Sequence, residues 1–245
     1  MIFRLPTILL AWPLGGLLAA APASEYRNFK SADGREMEAK IVRVSGEEVT
    51  IERKDDQREF SVSTSIFSEE DRAFIRTWEE VKRLSRDDAL EIRVQRSRTQ
   101  KSDSHSASTR REAWEEGYSI SVTNETFGDF EDLVVRYRIF KFDQAVAAHK
   151  RSDGSLERLE GEYKIARLAR DATHEEDTKK FPMSASKLKG NWYYVGGGRK
   201  KSEDELDGCW VRIYKGERMV REFSLPSTLP REHEWEPGKV DPFAN

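Results

Sequence analysis

The side chains in this sequence that could do chemistry are four histidines, one cysteine, several acidic runs and an aromatic cluster. His105, His149, His174 and His233 stand in separate polar segments. No two of them fall at metal-ligand spacing, and neither an HExxH nor a CxxC pattern occurs. His174-Glu175-Glu176-Asp177 has the donors for loose cation binding, but its composition is that of a solvated acidic loop. Glu203-Asp204-Glu205-Leu206-Asp207-Gly208 opens like a calcium loop, yet the bidentate glutamate that should close the loop would fall at Tyr214, inside an apolar strand. The glycine run Gly196-Gly197-Gly198, followed by Arg199-Lys200-Lys201, lacks the terminal Ser/Thr of a phosphate loop, so it predicts a flexible hairpin loop.

Nucleophiles fare no better. No Gly-x-Ser-x-Gly elbow occurs among the many serines, and Cys209, in Gly208-Cys209-Trp210-Val211, starts an apolar strand, where a thiol packs as a small hydrophobe. One thiol cannot form an intramolecular disulfide. Asn124-Glu125-Thr126 fits the glycosylation sequon, a pattern with many chance matches. The cluster Trp192-Tyr193-Tyr194 is the candidate ligand contact, since exposed rings stack on sugar faces or anchor a protein partner. Strand alternation would turn at least one of the three inward. No catalytic residue, metal ligand or cofactor is expected.

Hydrophobic residues make up 37% of the chain and charged residues 36%, which predicts modest cores under a heavily solvated surface. The net charge of −3 gives no global attraction to nucleic acid or anionic lipid, so no nucleic-acid partner is expected. Residues 1–23 differ from all that follows. Arg4 precedes the apolar run Ile8-Leu9-Leu10-Ala11-Trp12, and the stretch ends on Ala21-Pro22-Ala23 before Ser24. A positive start, an apolar middle and a small-x-small ending form a secretory signal peptide. The chain is therefore expected to be exported, to the periplasm or beyond, with no membrane span after cleavage.

Residues 24–84 predict a small antiparallel meander closed by a helix. Met37, Ala39 and Ile41 alternate with Glu38 and Lys40, a turn follows at Ser45-Gly46-Glu47, and Val49 and Ile51 alternate again. Lys54-Asp55-Asp56-Gln57 makes a second turn before Phe60 and Val62. Ser68 and Asp71 cap a helix whose stripe Phe74, Trp78 and Val81 should cover the open end of the sheet.

These residues also carry a resemblance. Asp33-Gly34, Ala39-Lys40-Ile41-Val42, Val49-Thr50-Ile51, Phe60-Ser61-Val62 and Phe67-Ser68-Glu69-Glu70-Asp71-Arg72-Ala73-Phe74-Ile75 are similar to the first homology domain of the yeast Sla endocytic adaptors. The module also occurs in exported proteins of planctomycete and verrucomicrobial bacteria. The resemblance implies an SH3-like barrel that recognises a peptide of the Asn-Pro-Phe-x-Asp kind. The chain departs from the pattern at Asp56, where Gly is usual, and at Ile66-Phe67.

Residues 85–245 predict a second, β-rich module. Tyr118, Ile120 and Val122 alternate, as do Leu133, Val135, Tyr137 and Ile139, and Lys215-Gly216-Glu217 joins two strands as a hairpin. Phe181-Pro182-Met183 predicts an edge strand. The stretches 97–112, 145–160 and 171–180 have too few large apolar residues to order themselves and are expected as long loops. Roughly seven strands between polar turns suggest an immunoglobulin- or fibronectin-like β-sandwich. The chain is thus expected to be mainly β, a small SH3-like barrel with its helix and then a sandwich. Its expected role is an exported, non-catalytic binding or scaffolding protein with a protein or peptide partner. The alternative is a carbohydrate-binding accessory protein using Trp192, Tyr193 and Tyr194. N-terminal sequencing of the exported chain is expected to begin at Ser24; an intact Met1 on envelope-associated protein would make the first segment an anchor.

Overall fold

The computed structural model describes residues 26–144 and 154–235. The expected signal segment and His149 lie outside them. The chain is mainly β, built from antiparallel sheets.

The first sheet has the order β1-β2-β3-β4, from β1 (Arg27–Lys30), β2 (Glu36–Ser45), β3 (Glu48–Arg53) and β4 (Glu59–Ser63). Its alternation is the expected one: Ala39, Ile41, Val49 and Ile51 are buried and pack with Phe29 and Phe67. Gly46 takes the left-handed conformation in the first tight turn, at φ +61°. In the second turn that duty falls on Gln57, at φ +54°, one residue after the Asp56 that replaces the usual Gly.

A 3-10 turn over Thr64–Ile66 leads into α1 (Glu69–Leu84). Ser68 caps it by accepting from the Asp71 backbone N–H at 3.2 Å, and Glu69, Glu70 and Asp71 place negative charge at the positive end of the helix dipole. Asp71 is buried, with Arg27 at 2.8 Å and the Lys30 backbone N–H donating to it at 2.7 Å, so one carboxylate pins the helix start to β1.

The helix does more than close the first sheet. Ile75 and Trp78 join the first core, whereas Val81 and Leu84 pack in the core of the second half. The stripe expected to serve one sheet is divided between two, because its last turn runs beyond the sheet it starts on. Polar ties follow the same seam. Arg83 lies over the Phe130 ring and donates to the Asp129 carbonyl at 3.2 Å, while Glu80 pairs with Lys215 at 2.7 Å.

The second half comprises β5 (Leu90–Arg98), β6 (Ser102–His105), β7 (Thr109–Asn124), β8 (Phe130–Gln144), β9 (Gly154–Leu168), β10 (Thr173–Asp177), β11 (Phe181–Leu188), β12 (Lys201–Glu203), β13 (Glu205–Lys215) and β14 (Arg218–Leu225). β7 is the spine of one sheet: β5 and then β6 pair along one edge, β10 and then β11 along the other, and β12 adds to β11. The other sheet has the order β14-β13-β8-β9, with the β13–β14 hairpin turning at Gly216 as expected. Tyr118, Ile120 and Val122 of the first of these sheets share one core with Leu133, Val135, Tyr137 and Ile139 of the second. The short helix α2 (Leu229–Glu232) and Trp235 cover Phe140 and Trp210 on the outer face.

Three expected loops are strands instead. Within residues 97–112, β5 reaches Arg98 and β6 forms a hairpin with β7. Order there comes from the β7 ladder and from charge. Arg98 bonds Glu116, Lys101 pairs with Glu112 at 2.8 Å, Arg110 pairs with Asp103 at 3.0 Å, and Arg98 and Lys101 both lie over the Trp114 ring. In the second stretch, Gly154–Glu160 is the first half of β9, paired with β8 from Arg138 to Gln144. In the third, Thr173–Asp177 pairs with β7 as β10. Pro182 sits in the part of β11 that β12 does not reach, where a missing N–H costs no ladder bond on that side.

Leu84 is fully buried at the seam. Leu84→Ala is expected to lower stability by about 2–5 kcal/mol in urea unfolding. Fluorescence of Trp114, in the second core, should report the loss; a shift confined to the first sheet would contradict the shared burial.

Candidate functional site

Trp192, Tyr193 and Tyr194 lie in the connection between β11 and β12, not on a strand. Alternation therefore does not sort them. Trp192 is 58% exposed, Tyr193 75%, and Val195 beside them 98%, while Tyr194 is half-buried. The loop is held at its base: the Leu188 N–H donates to the Lys200 carbonyl at 2.9 Å, and Lys189 Nζ donates to the Ser106 carbonyl at 2.8 Å. Between these ties Gly190, Gly197 and Gly198 all have positive φ, so the backbone turns sharply and leaves the rings outward.

Next to this loop is a polar cleft of about 500 Å³ lined by Arg96, Arg98, Glu116, Arg199, Lys201 and Asp204 among others. Its buried carboxylates are already engaged. Glu116 accepts from Arg98 at 2.8 and 3.0 Å and from Trp114 Nε1 at 2.7 Å. Asp204, within the calcium-like run, accepts from the Ser184 N–H at 2.7 Å and the Ser184 hydroxyl at 3.0 Å. Lys141, itself buried, stands among Asp204 at 3.7 Å, Glu157 at 3.7 Å and Asp143 at 3.9 Å, so an ammonium occupies the centre that a metal would need. A hydrogen bond shared with Asp204, together with partial burial, raises the Asp143 carboxyl above its ordinary range.

The other sequence candidates are dispersed. His105 is on β6, His174 on β10 stacks on Tyr163, and His233 stacks on Phe140 at 4.4 Å. Among the described residues no three His, Cys, Asp or Glu side chains are grouped to hold a metal. Cys209 is fully buried, and burial pushes its thiol up to about 12, far from the thiolate a nucleophile requires. Asn124 is also fully buried. Its amide donates to the Gly128, Leu168 and Ala169 carbonyls and its oxygen accepts from Thr126, so the sequon asparagine is a structural tie.

A further exposed apolar residue was not singled out by sequence pattern. Phe60 of β4 is directly opposite Ile51, which puts it on the core-facing side of the first sheet, yet it remains 40% exposed. β4 pairs only with β3 among the described strands, and Ile66 just beyond it is also exposed. The sheet thus has an apolar lip, with the Arg53 guanidinium 5.2 Å from the Phe60 ring centroid.

No protein-family model matches the chain, and no curated protein matches it. Among solved structures, a crystal structure from Akkermansia muciniphila is similar over 62% of this chain and 78% of its own, with 12% identity and a TM-score of 0.24. A structural-genomics target solved by X-ray methods is similar over 61% of this chain and 97% of its own, with 13% identity and a TM-score of 0.22. Likeness at this level assigns neither fold nor function. No helix among the described residues is long and apolar enough to cross a membrane.

The Asp143–Asp204 pair carries a pH signature. A carboxyl whose folded pKa is raised contributes stability that is full below its unfolded pKa and is lost as pH rises through the folded value. Asp143→Asn is therefore expected to raise the thermal midpoint near pH 7–8, with Glu157 and Asp204 still flanking Lys141. That gain should shrink as pH falls into the ordinary carboxylate range. A midpoint difference independent of pH would contradict the raised Asp143 carboxyl.

Proposed function

We propose that the chain is an exported, non-catalytic binding or scaffolding protein of the bacterial cell envelope, and that it takes a peptide or protein partner along its first sheet. On this reading β1 to β4 with α1 form the SH3-like module that the sequence resemblance implies, and β5 to β14 an immunoglobulin- or fibronectin-like sandwich. The observation that carries it is Phe60. A core-facing aromatic left 40% exposed beside a strand edge offers both an apolar contact and unpaired backbone groups to an extended segment.

A second reading has a specific observation in its favour. Trp192 and Tyr193 are exposed side by side, as a sugar-stacking platform requires. Retention of the chain on insoluble envelope polysaccharide, lost in Trp192→Ala, would establish it.

A lip this shallow predicts affinity that is micromolar or weaker. Titration of the whole chain with Asn-Pro-Phe-x-Asp peptides, followed by NMR, is expected to shift Phe60 and its β4 neighbours, and Phe60→Ala should abolish the shifts. No shift at millimolar peptide would refute recognition at this lip.

A further inference from the structure

The pairing registers around β7 place four basic residues in one line. His105 of β6 is opposite Arg110 of β7, Arg110 is opposite Lys187 of β11, and Lys187 is opposite Lys201 of β12. Residues directly opposite in antiparallel pairs project from the same face, so the four form a cross-strand row, and all four are exposed. Like charges directly opposite one another destabilise a sheet. Asp103 and Glu112 pair with Arg110 and Glu203 with Lys201, which leaves Lys187 without an ion pair among the described residues.

The connection that follows amplifies the same sign. From Lys187 to Ser202 the chain carries Lys187, Lys189, Arg199, Lys200 and Lys201 and no acidic residue, within a protein of net charge −3. The cations stand at the two bases of the loop, and Trp192, Tyr193 and Val195 occupy its middle, exposed. Apolar groups at the apex, amphipathic rings beside them and cations behind follow the order of depth in a bilayer interface. Trp and Tyr settle there at headgroup level, with Lys and Arg against anionic headgroups. A sugar platform uses the rings but leaves the basic row and Val195 without a role.

We propose that this end of the β7 sheet docks on an anionic lipid surface, with Trp192, Tyr193 and Val195 entering the interface and the row His105, Arg110, Lys187 and Lys201 facing the headgroups. The contact is peripheral. It is separate from the Phe60 lip, so either can fail alone.

Cosedimentation tests it, using a chain that starts at Ser24 and so keeps every described residue. Phosphatidylcholine vesicles are compared with vesicles of phosphatidylcholine mixed with phosphatidylglycerol. Binding is expected only to the mixed vesicles, weakening as salt is raised. Trp192→Ser with Tyr193→Ser, and separately Lys187→Gln with Lys201→Gln, should each lower partitioning by about tenfold or more. The second pair removes adjacent like charges, so it leaves folding intact, and an unchanged thermal midpoint verifies this. Equal partitioning to both vesicle types, or binding that neither double variant alters, would overturn the proposal. So would retention on polysaccharide or on an acidic protein with no vesicle binding at all.

Discussion

Strand β7 is paired along both edges, and the strands on its two sides are interrupted at nearly the same height. On one side Thr99–Lys101 separates β5 from β6; on the other Thr178–Lys180 separates β10 from β11. The second interruption crosses Gly117 so closely that a Cβ there would lie 2.7 Å from the Lys179 carbonyl oxygen and 2.8 Å from Thr178 Oγ1. Thr178 uses the approach: its N–H donates to the Tyr118 carbonyl, and its hydroxyl accepts from the Tyr118 N–H at 2.9 Å. The Lys179 N–H then donates to the Tyr137 hydroxyl at 2.9 Å, and the Tyr137 ring lies in the space that Gly161 leaves on β9. Two missing side chains thus let the Tyr137 phenol bond one sheet to the other, alongside the Asn124 amide on the Leu168 carbonyl and Arg96 on the Leu206 carbonyl. A side chain at Gly117 would push this crossing away from β7, at the point where pairing along that edge passes from β10 to β11.

What the sequence revealed of this arrangement depended on how local the signal was. Tyr118, Ile120 and Val122, or Ala39 and Ile41, alternate over neighbouring residues, so the buried face could be read from a few positions. The β13–β14 hairpin was readable for the same reason, since its turn and both strands are contiguous. Ser102–His105 and Thr173–Asp177 contain nothing apolar and Gly154–Glu160 only Leu156 and Leu159, and they are strands because β7 or β8 offers a ladder and a set of opposite charges. That information lies elsewhere in the chain.

The site was half legible on the same grounds. Residue type marked Trp192, Tyr193 and Tyr194, but the alternation rule presumed a strand, and they stand on a loop where glycines with positive φ set the direction of the rings. The basic row was hidden for a different reason. His105 and Lys201 are far apart in sequence and become members of one row only through three successive pairing registers. Its trace in the sequence was the acid-free run from Lys187 to Ser202, which a whole-chain charge near neutral conceals.

Helix α1 determines how independent the two ends of the molecule can be. Had Trp78 and Val81 served the same sheet, the helix would close one core only. Instead the last turn puts Val81 and Leu84 into the second core, and Glu80, Arg83 and Asp87 make polar ties on that side. Cutting the chain after the helix would leave two apolar residues without cover and Phe130 without its guanidinium neighbour. Under the proposed scaffolding role, that arrangement would keep the Phe60 lip and the aromatic loop from moving independently. The link is one helix whose apolar stripe is longer than the sheet it closes, so both cores share it.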